Sequence, residues 1–146
     1  MVEKRVPVTK YHSIDLFAGC GGLSLGLESA GFMPVMFSEL DKDTRESFKS
    51  NVSHSLDLIE IGNVKELIDN KSKILKTHLK NLKKSGINEI DLVCGGPPCQ
   101  AYSGIGHRRS YSTDRKNQPI AKLYVDMAKI IEVVNPKLFL FENVRG

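Results

Sequence analysis

Cys99 is the residue whose surroundings best suit covalent chemistry. It follows Gly95-Gly-Pro-Pro98 and precedes Gln100 and Ser103, so its thiol is carried on a stiff turn in polar company. The ordinary reading of a cysteine is a small buried hydrophobe, and that reading suits Cys94, and Cys20 after it, better than Cys99. Phe17-Ala-Gly-Cys-Gly-Gly22 offers a second kind of chemistry. Its glycines let a backbone bend sharply and approach a ligand closely, and the helix expected next begins with N–H groups that lack partners. A nucleotide-like cofactor fits such a bend. Glu39 follows twenty residues after Gly19, the separation at which an acid meets the hydroxyls of a bound ribose. The plain alternative is a strand-to-helix turn with an exposed acid. Dinucleotide binding is a rival reading, weakened because Ser24 stands where G-x-G-x-x-G has its third glycine. Glu142, immediately before Asn143, is a further strand-end acid; alone, it reads equally as a surface acid or a helix cap.

These residues need a scaffold that brings them to one rim, and the apolar pattern supplies it. Ser13 to Ala18 is a short run that stops at glycines, and Leu23, Leu25, Leu27 and Ala30 then suit a helix ending at Gly31. Met33 to Ser38 is a second strand, after which Asp41 caps a polar helix containing Arg45, Phe48 and Lys49. Leu56 to Ile61 is expected as a third strand. A helix begins at Lys65 to Asp69, breaks near Asn70-Lys-Ser, and resumes with Ile74, Leu75, Leu79 and Leu82 on one face. Ile90 to Cys94 is a fourth strand, and Gln100 to Gln118 has no sustained apolar period and reads as a long loop. Ile120 to Val134 returns to helical spacing, and Lys137 to Phe141 is a fifth strand. Alternating strands and helices imply a mostly parallel, Rossmann-like α/β sheet that binds ligands beyond the carboxyl ends of its strands. Every candidate residue falls at such an end.

The chain has 146 residues, of which 40% are apolar, enough for one core and one domain over 1–146. Three cysteines leave an odd thiol and no pair at zinc-like spacing, so neither a disulfide framework nor a metal site is expected. No stretch approaches the roughly 20 apolar residues that cross a bilayer, and the opening residues show no apolar leader, which points to a cytoplasmic protein. A net charge of +4 is compatible with a phosphate-bearing partner without demanding one. Its distribution says more, because Arg108, Arg109, Arg115 and Lys116 gather in the loop just past Cys99.

Read together, Asp15-Leu-Phe-Ala-Gly-Cys-Gly-Gly22, Glu39, Gly95-Gly-Pro-Pro-Cys-Gln-Ala-Tyr-Ser103 and Glu142-Asn-Val144 resemble the ordered motifs of DNA cytosine-C5 methyltransferases. The resemblance spans nearly the whole chain. It implies transfer of a methyl group from S-adenosylmethionine to cytosine C5 in double-stranded DNA, as in a restriction-modification system. By similarity, Phe17, Ala18, Gly19, Cys20, Gly21, Gly22 and Leu23 would wrap the cofactor. Glu39 would hold the ribose, Leu40 would lie against adenine, and Pro97 and Leu123 would complete the wall. The family's usual acid after the third strand is replaced by Asn63, whose amide oxygen can still accept from the adenine amino group.

The residue types suit the reaction so implied. A thiolate adding at C6 makes C5 enamine-like, and a carboxylic acid at N3, the expected role of Glu142 if burial raises its pKa, relieves the charge that builds on the ring. Asn143 would position that acid. The base must leave the helix to be reached, and Gln100, Ser103, Arg108 and Arg109 are the residues expected to contact the DNA around it. The family's later base-binding arginine, target-recognition region and closing helix lie beyond the motifs found. The chain is therefore expected to be the N-terminal part of the catalytic domain, inactive alone and in need of a second polypeptide. Alternatives are a non-catalytic cofactor-binding or docking module, an RNA cytosine-C5 methyltransferase and, more remotely, a nicotinamide dehydrogenase. All of it requires Cys99, Glu142 and the bend near Gly19 to share one rim of the sheet.

Overall fold

The computed structural model describes residues 11–52, 58–98 and 122–143. Cys99, Gln100, Ser103, Arg108 and Arg109 lie outside the described residues, as does most of the loop to which they were assigned. Among the described residues, five strands form one parallel sheet: β1 (Tyr11–Leu16), β2 (Phe32–Ser38), β3 (Ile59–Ile61), β4 (Leu92–Gly95) and β5 (Leu138–Phe141), in the spatial order β3-β2-β1-β4-β5. Helices α1 (Gly22–Ser29), α2 (Lys42–Asn51), α3 (Asp69–Lys84) and α4 (Leu123–Val134) connect them, with a 3-10 turn at Val64–Leu67 before α3. The chain winds outward from β1 to β3 and then crosses back to β4 on the other side of β1. The strand order therefore reverses between β1 and β4, where a Rossmann-like sheet opens a crevice.

Burial follows from this winding. Ile14, Leu16, Met36 and Val93 pack against Leu67, Leu75, Leu82, Met127 and Ile130 from the 3-10 turn, α3 and α4. A second cluster of Ala18, Phe37, Phe48 and Val52 joins the sheet to α2, with the Phe37 and Phe48 rings stacked at 4.0 Å. At the amino rim, Asp91 accepts from the His12 N–H at 2.8 Å and from Lys137 Nζ at 2.8 Å, which ties β1, the start of β4 and the approach to β5 together. That tie is stronger than it would be at the surface because Asp91 is buried.

Several element boundaries differ from the sequence reading. The first strand ends at Leu16 rather than Ala18, because Phe17 turns to φ 58° and the Ala18 N–H reaches sideways to the Ser38 carbonyl at 3.0 Å. The third strand is confined to Ile59–Ile61, with residues 53–57 outside the described residues. Pro34 lies inside β2 where no N–H can be offered to a ladder, and the β1–β2 register slips between Ser13 and Ile14 beside it. The break foreseen near Asn70 is a left-handed joint: Asn70, Lys71 and Ser72 all have φ between 48° and 59°. Leu138, Phe139, Leu140 and Phe141 of β5 are all exposed, Phe139 by 64%.

Candidate active site

The registers decide what meets at the carboxyl rim. Leu16 pairs with Ser38 on one side and Gly95 on the other, and Gly95 pairs with Phe141. The segments leaving β2, β1, β4 and β5 therefore emerge side by side. They carry Glu39, the bend Phe17–Gly22, the turn Gly96-Pro-Pro98 and Glu142 respectively. Asn63, just past β3, extends the row because the Glu39 N–H donates to the Ile61 carbonyl at 3.1 Å.

The bend is built by conformations that few residues adopt. Phe17 at φ 58°, Gly19 at 55° and Gly21 at 89° turn the chain through left-handed positions before α1 begins. A β-carbon on Gly21 would lie 2.9 Å from Val52 Cγ2 and 3.0 Å from Phe48 Cδ2, so α2 forms a hard floor beneath the bend. Above it the space is open among the described residues, since β-carbons on Gly19 or Gly22 would meet none of them within 4 Å. The first N–H groups of α1, on Gly22 and Leu23, have no intrahelical acceptor. Those are the features of a cradle for a polar, nucleotide-like group. Cys20 is exposed on this bend, against the expectation of an inert buried thiol, because its neighbours' left-handed turns push it outward; its carbonyl accepts from Asn51 Nδ2 at 2.8 Å.

Glu39 is locked to the bend. Its Oε2 accepts from the Gly19 N–H at 3.1 Å and its Oε1 from the Asp41 N–H at 3.0 Å. Each oxygen keeps a second lone pair, which a vicinal pair of hydroxyls could use. Arg45, read from sequence only as part of a polar helix, fixes the same turn. Its Nη1 donates to the carbonyls of Glu39 at 2.9 Å and Leu40 at 2.8 Å, while its Nε holds Glu60 at 2.6 Å. Leu40 is left 74% exposed beside the cradle, an apolar surface with nothing against it among the described residues. Asn63 caps the 3-10 turn, accepting from the Lys65 N–H at 3.0 Å while Glu66 returns a bond to its N–H. Its side-chain oxygen thus has one acceptor position already occupied. Pro97 is buried at the β4 turn, and Leu123 is half-buried against the main core at the start of α4.

Glu142 stands next to the β4 turn. Its N–H donates to the Gly95 carbonyl at 3.0 Å, and a β-carbon on Gly96 would lie 2.8 Å from Glu142 Oε2. The residue is exposed, so the burial expected of it is not supplied by the described residues. Asn143 follows it, also exposed.

Two residues that the sequence reading named but gave no role, Asp15 and Ser24, meet beside the bend. Asp15 is buried in β1, and Ser24 Oγ donates to its Oδ2 at 2.6 Å. Burial pushes the Asp15 pKa up to about 6, against the opposing pull of its bonds from Ser24. Cys94 lies in register beside it, and burial, with Asp15 alongside, raises that thiol well above its usual range. Cys94 is thus the inert cysteine expected. The available signal was an acid inside the apolar run Ser13-Ile-Asp-Leu16.

Comparison with known proteins agrees with this geometry. A family profile described as C-5 cytosine-specific DNA methylase matches residues 11–146. The chain is 32% identical over 133 residues to the type II methyltransferase M.FnuDI of Fusobacterium nucleatum, covering 91% of this chain and 32% of that protein. It is 38% identical over 131 residues to M.HindV of Haemophilus influenzae, covering 90% of this chain and 36% of that protein. A crystal structure assigned as a DNA modification methyltransferase encoded within an E. coli prophage superposes with a TM-score of 0.67 at 31% identity, covering 94% of this chain and 33% of that one. The chain spans about a third of the length of each.

Proposed function

The chain belongs to the C-5 cytosine-specific DNA methylase family, and from that premise we propose that it carries the cofactor seat and the nucleophile for methylation of cytosine C5 in double-stranded DNA. The observation that carries the reading is the register that brings the ends of β1, β4 and β5 together at Leu16, Gly95 and Phe141. It makes neighbours of the glycine bend, the turn that leads to Cys99, and Glu142. The cradle fits S-adenosylmethionine through the open space over Gly19 and Gly22, the N–H groups of Gly22 and Leu23, the Glu39 carboxylate and the exposed face of Leu40. Phe17, Ala18, Cys20 and Gly21 complete the bend, with Pro97, Leu123 and Asn63 at its margins. When bound, S-adenosylmethionine supplies an electrophilic methyl group.

The chain's own residues prepare the base to receive it. The Cys99 thiolate adds to C6, the C5–C6 double bond opens, and the electron pair makes C5 nucleophilic. Glu142 hydrogen-bonds or protonates N3, where negative charge would otherwise collect, and Asn143 holds the carboxyl in place. Once C5 carries the methyl group, its proton passes to water, the N3 proton returns to Glu142, and the C5–C6 double bond reforms as the Cys99 thiolate leaves. A stacked base offers neither atom, so the target is flipped out, and Gln100, Ser103, Arg108 and Arg109 are assigned to the DNA around it.

Because the chain spans about a third of its relatives' length, methyl transfer is expected only with a polypeptide matching the remaining two-thirds. A restriction-modification role follows the type II relatives. The test is labelled methyl transfer to duplex DNA and to tRNA, with and without that polypeptide. Incorporation into duplex DNA that disappears in Cys99→Ser is the expected result. An active Cys99→Ser protein rejects the mechanism, preference for tRNA rejects the substrate, and a complex that binds cofactor without transfer points to a docking module.

A further inference from the structure

Asp15 is a buried acid that the proposed chemistry does not use. It is the penultimate residue of β1, in register with Phe37 of β2 and Cys94 of β4, and is 1% exposed. Ser24, the third residue of α1, donates its hydroxyl to Asp15 Oδ2 at 2.6 Å, and its backbone N–H also bonds the carboxylate. Gly21 occupies the cap position of α1 and contributes no side-chain bond there. The capping acceptor that most helices take from their own chain is thus delivered from the sheet, with a negative charge at the positive end of the helix.

That arrangement is costly. An ionised carboxylate in the interior loses its hydration, whereas a serine or asparagine would offer an oxygen without carrying charge inward. We propose that Asp15 is a positioning residue for the cofactor, acting through Ser24 to hold the first turn of α1, and with it the Gly19–Gly22 bend, at the angle that presents the Gly22 and Leu23 N–H groups. The proposal rests on reading the bend as the cofactor seat. Phe48 and Val52 fix the bend from below, and Asp15 fixes its exit. Without the second anchor, α1 can swing over that floor.

The groups that face Asp15 are Ser24 from α1 and Cys94 from β4; β2 presents Phe37, which does not titrate. Cys94 stays protonated across the working range, its pKa raised by burial. Asp15, with a pKa near 6, therefore loses its charge as the medium becomes mildly acidic, and its hold on the Ser24 donors weakens.

The experiment measures binding of S-adenosylhomocysteine to the whole chain by calorimetry at pH 8 and pH 5.5, with melting curves and amide hydrogen exchange alongside. Wild-type affinity should fall by about two- to fourfold from pH 8 to pH 5.5, since about a quarter of Asp15 remains ionised there. Asp15→Asn should bind at least fivefold more weakly than wild type at pH 8, with little dependence on pH and with an undiminished melting temperature. Ser24→Ala should follow it, and Ser24→Thr should restore binding. Wild-type affinity in Asp15→Asn at pH 8 overturns the proposal. If the wild-type chain binds no cofactor, the reading of the bend fails. Asp15 is then judged separately by exchange of the Ser24 and Leu25 amides: at least fivefold faster exchange in Asp15→Asn supports its hold on α1, and unchanged protection refutes it.

Discussion

Glu142 and Gly96 stand so close that a single carbon atom on the glycine would collide with the acid. The Glu142 N–H is anchored to the Gly95 carbonyl at 3.0 Å, and the Gly96 β-carbon position is 2.8 Å from Glu142 Oε2. The end of β5 is thus clamped to the turn that follows β4. The two glycines differ in what they protect. At Gly95 the added carbon would lie 2.4 Å from the Leu16 carbonyl oxygen, which is backbone and cannot step aside.

Two substitutions at neighbouring positions should therefore separate folding from chemistry. Gly96→Ala displaces only the flexible end of an exposed side chain, so the melting temperature should move by no more than about 2 °C. Methyl transfer in the completed enzyme should drop by about tenfold or more if Glu142 is the proposed acid, because displacement would spoil its geometry. Gly95→Ala should cost about 2 kcal/mol or more through overpacking against the sheet. Thermal denaturation and a transfer assay on both variants check the contrast, and equal behaviour of the two would refute it.

Asp15 gives stability a pH dependence of unusual sign. Its pKa is raised to about 6 in the folded chain by burial, against roughly 3.9 for an unfolded aspartate. Between those values the folded state holds the extra proton, so stability falls as the pH rises from about 4 to 6 and then levels. The difference corresponds to about 2–3 kcal/mol. Asp15→Asn should remove that slope, which denaturant titrations at pH 4.5, 6 and 7.5 would reveal.

The left-handed joint in the first turn of α3 should be improvable. Lys71 sits at φ 56°, ψ 36°, a conformation that costs a residue with a β-carbon about 1–2 kcal/mol. Lys71→Gly removes that cost while adding about 0.4–1 kcal/mol of unfolded-state entropy. A net gain of about 0.5–1 kcal/mol is expected, with Lys71→Ala as a control that gains nothing. Chemical denaturation of the three proteins decides the matter.

Strand β5 should make the isolated chain associate. Among the described residues it lies at the sheet edge with four consecutive apolar residues exposed, an arrangement that invites pairing with another strand. Light scattering of the isolated chain should show association that grows with concentration. Phe139→Lys should reduce it, since a charge on an edge strand opposes pairing; a strictly monomeric wild type would contradict this.

Much of this arrangement is legible in the sequence because strand ends announce themselves. The apolar run before Gly19 and the one before Gly96-Pro-Pro98 stop at residues that favour turns over strands, and alternation with helices then puts both stops on one rim. Asn70-Lys-Ser72 was visible as a break, though not as a reversal of hand, because two of its three residues have no preference for that conformation. What could not be read depends on contacts between distant residues. Arg45 is one cation on a polar helix until the fold brings the Glu39 and Leu40 carbonyls to it. Asp15 is a polar residue in a strand until Ser24 closes over it. Glu142 was expected to be buried because its proposed task asks for that, and strand periodicity alone carries no information about how deep a terminal residue sits. Cys99, the proposed nucleophile, and the residues from 100 to 121 lie outside the described residues.

The central place of β1 also sets a timetable for synthesis. Its pairing with β2 is local, but on its other side Ser13 must wait for Leu92. At about 5–20 residues per second, a ribosome needs about 4–16 s to deliver that partner. Throughout that interval the nascent chain presents a bare strand edge next to the future cofactor bend. A crevice made at a reversal of strand order thus brings a period of vulnerability before it can exist.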